Sequence, residues 1–144
     1  MSLPLFVYGT LRDPDILLAV LGHALEPAQL VAATAPDHRI ALYPKQVYPG
    51  LIAARGETAQ GTLLIDLSLD ELDLLDAYEG REYARQPLRV KARGTIEVAS
   101  VYMPTITIPS DAPAWRLSDW QRNHKAAALV AEVEAAARPR GRKR

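Results

Sequence analysis

A carboxylate stands where the sequence asks for an apolar side chain. Ser68-Leu69-Asp70-Glu71 has the form of a capping box, with Leu67 and Leu72 at the positions of a hydrophobic staple. The helix it opens points Leu72 and Leu75 inward, and four residues past Leu75, on the same face, comes Glu79. Gly80 then supplies the stop. Burial and the negative end of the helix dipole both oppose ionisation at Glu79, so its pKa is expected above the usual glutamate value. A glutamate tuned upward suits general acid–base work near neutral pH. The structural alternative is a frayed last turn in which Glu79 swings out to pair with Arg81 or Arg85.

The second chemical feature is the stretch Leu5-Phe6-Val7-Tyr8-Gly9-Thr10-Leu11-Arg12-Asp13-Pro14. Leu5 to Tyr8 reads as a buried strand. Gly9 breaks it and permits a backbone angle that other residues resist. Asp13 and Pro14 are the N-cap and first residue of a helix with an apolar stripe of Ile16, Leu17, Val20 and Leu21, ended by Gly22. The turn at Gly9-Thr10-Leu11 must then present several backbone N–H groups together, a donor site for a carboxylate or an oxyanion. Asp13 and Asp15 already place negative charge on the helix end, so an anion is expected at the turn amides instead. An ordinary strand–helix turn is the alternative.

The rest of the chain narrows the chemistry. Cysteine is absent, which excludes disulfides, thiolate metal sites and a cysteine nucleophile, and fits a reducing cytoplasm. No phosphate-binding or dinucleotide glycine motif is present, and no nucleophile elbow. His23, His38 and His124 are far apart and form no helical metal pair, so they are expected in surface or packing roles. Formal net charge is zero, which gives no reason to expect a nucleic-acid or membrane partner. Neither a signal peptide nor a membrane-spanning stretch is legible. Carboxylates, tyrosines and backbone donors remain.

These groups need a scaffold. With 144 residues, about half of them apolar, residues 1–137 are expected to form one domain and residues 138–144 (RPRGRKR) a basic, disordered tail. Gln29–Ala35 and Arg39–Tyr43 read as strands separated by the turn Pro36-Asp37, as a hairpin would be. Leu51–Ala54 and Gln60–Leu67 read as two more around Arg55-Gly56-Glu57, with Gly61 marking a bulge or a close backbone approach. Arg85–Ala92 and Ile96–Met103 form a hairpin about Arg93-Gly94-Thr95. Ser118-Asp119-Trp120-Gln121 resembles a second capping box, opening one helix to about Ala137 with a stripe of Trp120, Ala127, Val130, Val133 and Ala137. Helices do not alternate with strands, so a doubly wound parallel sheet is excluded; a small mixed sheet or barrel fits.

Phe6-Val7-Tyr8-Gly9-Thr10-Leu11 resembles the opening motif of the γ-glutamylcyclotransferase-like (AIG2-like) family. Leu75-Asp76-Ala77-Tyr78-Glu79-Gly80, with Tyr83, Arg85 and Val90, resembles its second signature. Pro49-Gly50-Leu51, Gly61-Thr62-Leu63 and Val101-Tyr102 match further pieces, so the likeness spans roughly residues 4–103. It implies an α+β fold, a small mixed, mainly antiparallel β-barrel with about three peripheral helices. It also implies a cavity in which the Tyr8–Leu11 loop faces Glu79. Family enzymes cyclise γ-glutamyl compounds to 5-oxoproline and release an amine or amino acid, without metal or cofactor.

On that resemblance Glu79 is the catalytic residue, and Tyr8, Gly9, Thr10, Leu11 and Tyr83 bind the substrate, a small γ-glutamyl molecule. Glu79 is expected in the largest cavity. Arg85 reads equally as a cavity residue or as a salt-bridge residue on its strand. The loops Tyr43–Gly50 and Pro104–Pro113 are expected to set leaving-group selectivity. The other readings are a binding module that keeps the cavity without turnover, and a nucleic-acid or partner-binding domain acting through the basic tail.

Overall fold

A computed structural model describes residues 3–137; the expected tail, 138–144, lies outside the described residues. Five strands form one mixed sheet that closes on itself in the order β1-β3-β2-β4-β5, a ring-like sheet rather than an open one. They are β1 (Leu5–Val7), β2 (Leu30–Leu42), β3 (Pro49–Leu64), β4 (Tyr83–Ala92) and β5 (Thr95–Pro104). Four helices flank the ring: α1 (Pro14–Leu21), α2 (Leu69–Glu79), α3 (Leu117–Asn123) and α4 (Lys125–Ala136). Short 3₁₀ turns cover Thr10–Arg12, Pro27–Gln29 and Gly80–Glu82. Only the β1–β5 pairing is parallel, so the mixed, mainly antiparallel α+β expectation holds. Among the described residues no helix is long and apolar enough to cross a membrane.

The short strand β1 explains its own apolar run, because both of its faces are covered. Leu5 and Val7 face a cluster built with Ile16, Val20, Leu75 and Trp120 of the helices. Phe6 and Tyr8 alternate to the other side and join Leu51, Leu63, Val90 and Val101 inside the ring. Gly61 of β3 is the expected close approach: a Cβ there would strike the Val7 carbonyl and lie 2.7 Å from the Phe6 ring.

Local signals were read well at three places. Asp13 caps α1, accepting from the amides of Asp15 and Ile16 at 2.9 and 3.1 Å. Ser68 and Glu71 make both bonds of the capping box, at 2.8 and 3.0 Å. Arg93 and Gly94, with φ of 54° and 80°, form the two-residue turn between β4 and β5.

Three expectations are corrected. The turn signals Pro36-Asp37 and Arg55-Gly56-Glu57 end no strand; they face each other as an irregularity in two long paired strands, β2 and β3. Asp37 accepts from the Gly56 amide at 2.9 Å, which closes that irregularity on itself. The second capping box does not form: α3 starts two residues earlier, with Arg116 in place of Ser118 as its N-cap, and Gln121 instead donates to Asp13 at 2.8 Å. The last helix is two helices, broken at the poor helix formers Asn123 and His124. The break resets the phase of the second half, so Ala128 and Leu129 pack on the core while Val130 and Val133 are 58% and 56% exposed.

Candidate functional site

Glu79 ends α2, and Gly80, at φ 71°, turns the chain away immediately after it. The Glu79 side chain lines a cavity of about 220 Å³. The same cavity is lined by Tyr8, Gly9, Thr10, Leu11 and Tyr83, so all six residues singled out in the sequence meet at one place. A broader, shallower hollow of about 590 Å³ lies beside it, around Asp76, Arg85, Gln86 and Ser100. The expectation that Glu79 lines the largest cavity is therefore corrected, because it lines the more enclosed of the two.

The frayed alternative for Glu79 does not occur. α2 is helical through Glu79, and Arg85 gives its guanidinium to Asp76, with Nε and Nη2 donating at 2.9 and 3.1 Å. Among the described residues no hydrogen bond or ion pair is made to the Glu79 carboxyl. Burial, then the neighbouring charges of Glu82 and Asp76, push its pKa up to about 8. A carboxylic acid in that state exchanges protons near neutral pH.

Among the described residues no backbone bond is made by the amides of Gly9, Thr10 and Leu11, which belong to the same cavity. The turn's closing bonds run from the Arg12 amide to the Gly9 carbonyl and from the Asp13 amide to the Thr10 carbonyl, both at 3.0 Å. The amides of Gly9, Thr10 and Leu11 precede those bonds and are not used by the turn. Gly9 is needed here for space, with φ at −119°: a Cβ would lie 2.8 Å from Pro49 Cγ. The close approach adds to the expected backbone angle, which at ψ −133° is neither extended nor helical. Thr10 Oγ1 is 2.7 Å from the Tyr78 hydroxyl, a contact the sequence did not reveal.

Five tyrosines, Tyr8, Tyr48, Tyr78, Tyr83 and Tyr102, stand among the lining residues. Tyr8 donates to the Tyr102 carbonyl at 2.6 Å, and Tyr102 donates to Asp76 at 2.6 Å. Burial raises the pKa of Tyr8, Tyr78, Tyr83 and Tyr102, and the charge of Glu79 adds to the rise in each. All four are neutral hydroxyls at working pH. Tyr83 donates to the Pro49 carbonyl, and its ring stacks edge-on to Tyr43 with centroids 5.6 Å apart. Tyr48 donates to the Glu82 carboxylate at 2.7 Å.

Of the two loops expected to set selectivity, only the first reaches the cavity, through Val47, Tyr48 and Pro49. The second supports it from behind: Ile108 packs with Tyr43, and the Thr105 amide donates to the Glu82 carbonyl at 2.9 Å. Trp115, just past that loop, donates to the Val47 carbonyl at 2.8 Å. Among the described residues no three His, Asp or Glu side chains gather into a group able to hold a metal ion.

The family profile described as gamma-glutamyl cyclotransferase, AIG2-like, matches residues 5–122. This chain belongs to that family. AIG2-like protein A of Arabidopsis thaliana is 31% identical over 123 residues, 83% of this chain and 73% of that protein. AIG2-like protein B of the same plant is 30% identical over 139 residues, 94% of this chain and 79% of that protein. The solution structure of another Arabidopsis thaliana protein is 27% identical and superposes with a TM-score of 0.66, over 94% of this chain and 93% of that one. The profile thus covers β1 through α3 of this AIG2-like chain, taking in the turn, Glu79 and Trp120 of the cavity wall.

Sequence reasoning missed Tyr78, Tyr102 and Glu82 as cavity residues of this family member. Tyr78 had a signal, since it precedes Glu79 in the last turn of α2. Tyr102 had no local signal beyond its place in the family resemblance, because its partners Tyr8 and Asp76 are 94 and 26 residues away.

Proposed function

We propose that this protein cyclises a γ-glutamyl amine or γ-glutamyl amino acid to 5-oxoproline, releasing the amine. The single observation that carries the reading is Glu79: an unpaired carboxyl with a pKa of about 8, in an enclosed cavity shared with the unused amides of Gly9–Leu11.

The chemistry needs one residue to move protons. Ionised Glu79 takes a proton from the substrate α-ammonium, which frees the nitrogen lone pair. That nitrogen attacks the γ-carbonyl carbon, closing a five-membered ring and placing negative charge on the carbonyl oxygen. The Gly9–Leu11 amides donate to that oxygen, or to the substrate α-carboxylate. The bond from the γ-carbon to the leaving nitrogen then breaks as Glu79 returns that proton to it, and the second proton of the ring nitrogen passes through the same carboxylate to the departing amine, which leaves as an ammonium. No water is consumed, and the base is regenerated.

Two physical features support this use of the cavity. Attack is intramolecular, so holding the glutamyl chain curled supplies much of the rate gain, and a cavity of about 220 Å³ leaves little room for an extended chain. The incoming ammonium also brings positive charge to Glu79, which lowers its pKa at the moment a base is needed. The test is a screen of γ-glutamyl amines, γ-glutamyl amino acids and glutathione for release of 5-oxoproline. Release from a member of one class assigns the leaving group; no release from any of them contradicts the reading.

A further inference from the structure

Two hydroxyls join the two halves of the candidate site. Thr10 Oγ1 and the Tyr78 hydroxyl are 2.7 Å apart, and both residues line the cavity that holds Glu79. Thr10 belongs to the turn whose amides are free, and Tyr78 to the last turn of α2, one residue before Glu79. Successive helical side chains diverge by about 100°, so α2 can send Tyr78 to the turn and Glu79 into the cavity from one rigid element. Thr10 is buried and the bond part-buried, which limits the competition from water. Burial, with the smaller effect of Glu79, lifts the Tyr78 pKa to about 12, so the hydroxyl stays protonated wherever Glu79 works.

We propose that Tyr78 is a positioning residue, which through Thr10 fixes the Gly9–Leu11 amides at a set distance from the Glu79 carboxyl. This rests on the cyclotransferase reading above, and it adds a role for a side chain that neither bears the base nor supplies the amides. The turn's own bonds, from the Arg12 amide to the Gly9 carbonyl and from the Asp13 amide to the Thr10 carbonyl, hold its shape and do not reach α2. The Thr10–Tyr78 bond ties the turn to α2. Without it the donors and the base are anchored on separate elements, and small misplacements of reacting groups are costly to rate.

The test compares Tyr78→Phe, Thr10→Val and the double variant. Each change removes a hydroxyl and keeps most of the side-chain volume. Each single variant should lose about tenfold in kcat, with KM changed by less than about twofold, because positioning acts on the transition state more than on binding. The double variant should be no worse than the poorer single, since both remove one bond. Hydrogen-exchange protection of the Arg12 and Asp13 amides should fall about tenfold in all three, as the turn loosens. Wild-type kcat in both singles, or losses that multiply in the double, would overturn the proposal while leaving the cyclotransferase reading intact. If the wild-type protein itself releases no 5-oxoproline, that reading fails, and exchange alone decides: unchanged protection in Tyr78→Phe overturns the tie between turn and helix.

Discussion

Arg85 holds Asp76 with two bonds, at 2.9 and 3.1 Å, and leaves Glu79 without a cationic partner. The two carboxylates stand three residues apart on α2, yet one is ion-paired and the other is not.

Rate should follow the titration of Glu79. In the free protein its pKa is about 8, raised by burial first and then by Glu82 and Asp76. The profile of kcat/KM against pH should therefore rise to a plateau above about 8. Asp76→Asn removes one of the raising charges, so the rising limb should move to lower pH. A limb left in place by Asp76→Asn would contradict the electrostatic account.

Stability should show the same residue with a definite sign. Glu79 keeps its proton in the folded state to about pH 8, whereas its ordinary value is 4.5. Between those values the unfolded chain binds fewer protons than the folded one, so ionisation costs the folded state more with each step up in pH. Glu79→Gln lacks that cost. Its free energy of unfolding should match the wild type near pH 4.5 and exceed it increasingly up to pH 8, by an amount on the order of a few kcal/mol at most. A variant destabilised at pH 8 would mean that Glu79 makes a structural ion pair.

Asp13 should titrate the opposite way. Burial would raise it, but donation from Gln121, Lys125 and the Ile16 amide outweighs burial and holds it below the usual carboxylate range. Its contribution is present above the ordinary value of 3.8 and is lost as pH falls through the lower folded value. Asp13→Ala should cost about 1–2 kcal/mol at neutral pH for the lost cap alone. Denaturant unfolding at pH 7 and pH 3 checks both the size and the shrinkage of the effect in acid.

How legible the site was depends on how far each residue's partners lie along the chain. The capping box at Ser68, the cap at Asp13 and the turn at Arg93-Gly94 are made within four residues, and all three were read directly. Glu79 was legible because a carboxylate broke a helical stripe. The long strands β2 and β3 were not, because Pro36-Asp37 and Gly56 act as turn formers alone and as a paired irregularity only against each other. Tyr78 and Tyr102 became site residues through hydroxyl contacts 68 and 26 residues away, which no local pattern encodes.

Gly9 tests the turn by space. Gly9→Val adds bulk where even a Cβ lies 2.8 Å from Pro49 Cγ, so the turn must shift and activity should fall steeply. Pro49→Ala removes the obstructing ring carbons and keeps the carbonyl that accepts from Tyr83. The pair Gly9→Ala with Pro49→Ala should therefore recover activity that Gly9→Ala alone loses. Equal activity of Gly9→Ala with and without Pro49→Ala would show that the clash is not the reason for glycine.

The most direct measurement is 5-oxoproline release by Glu79→Gln, on whichever γ-glutamyl substrate the wild-type protein turns over. The swap keeps size and hydrogen-bonding capacity and removes the proton acceptor. With Glu79 as the base, kcat should fall by roughly 10² to 10⁴, the usual worth of a positioned acid–base group, while the protein stays folded and at least as stable at pH 8. Turnover at the wild-type rate in a folded Glu79→Gln protein would contradict the assignment of the base, and with it the proposed mechanism.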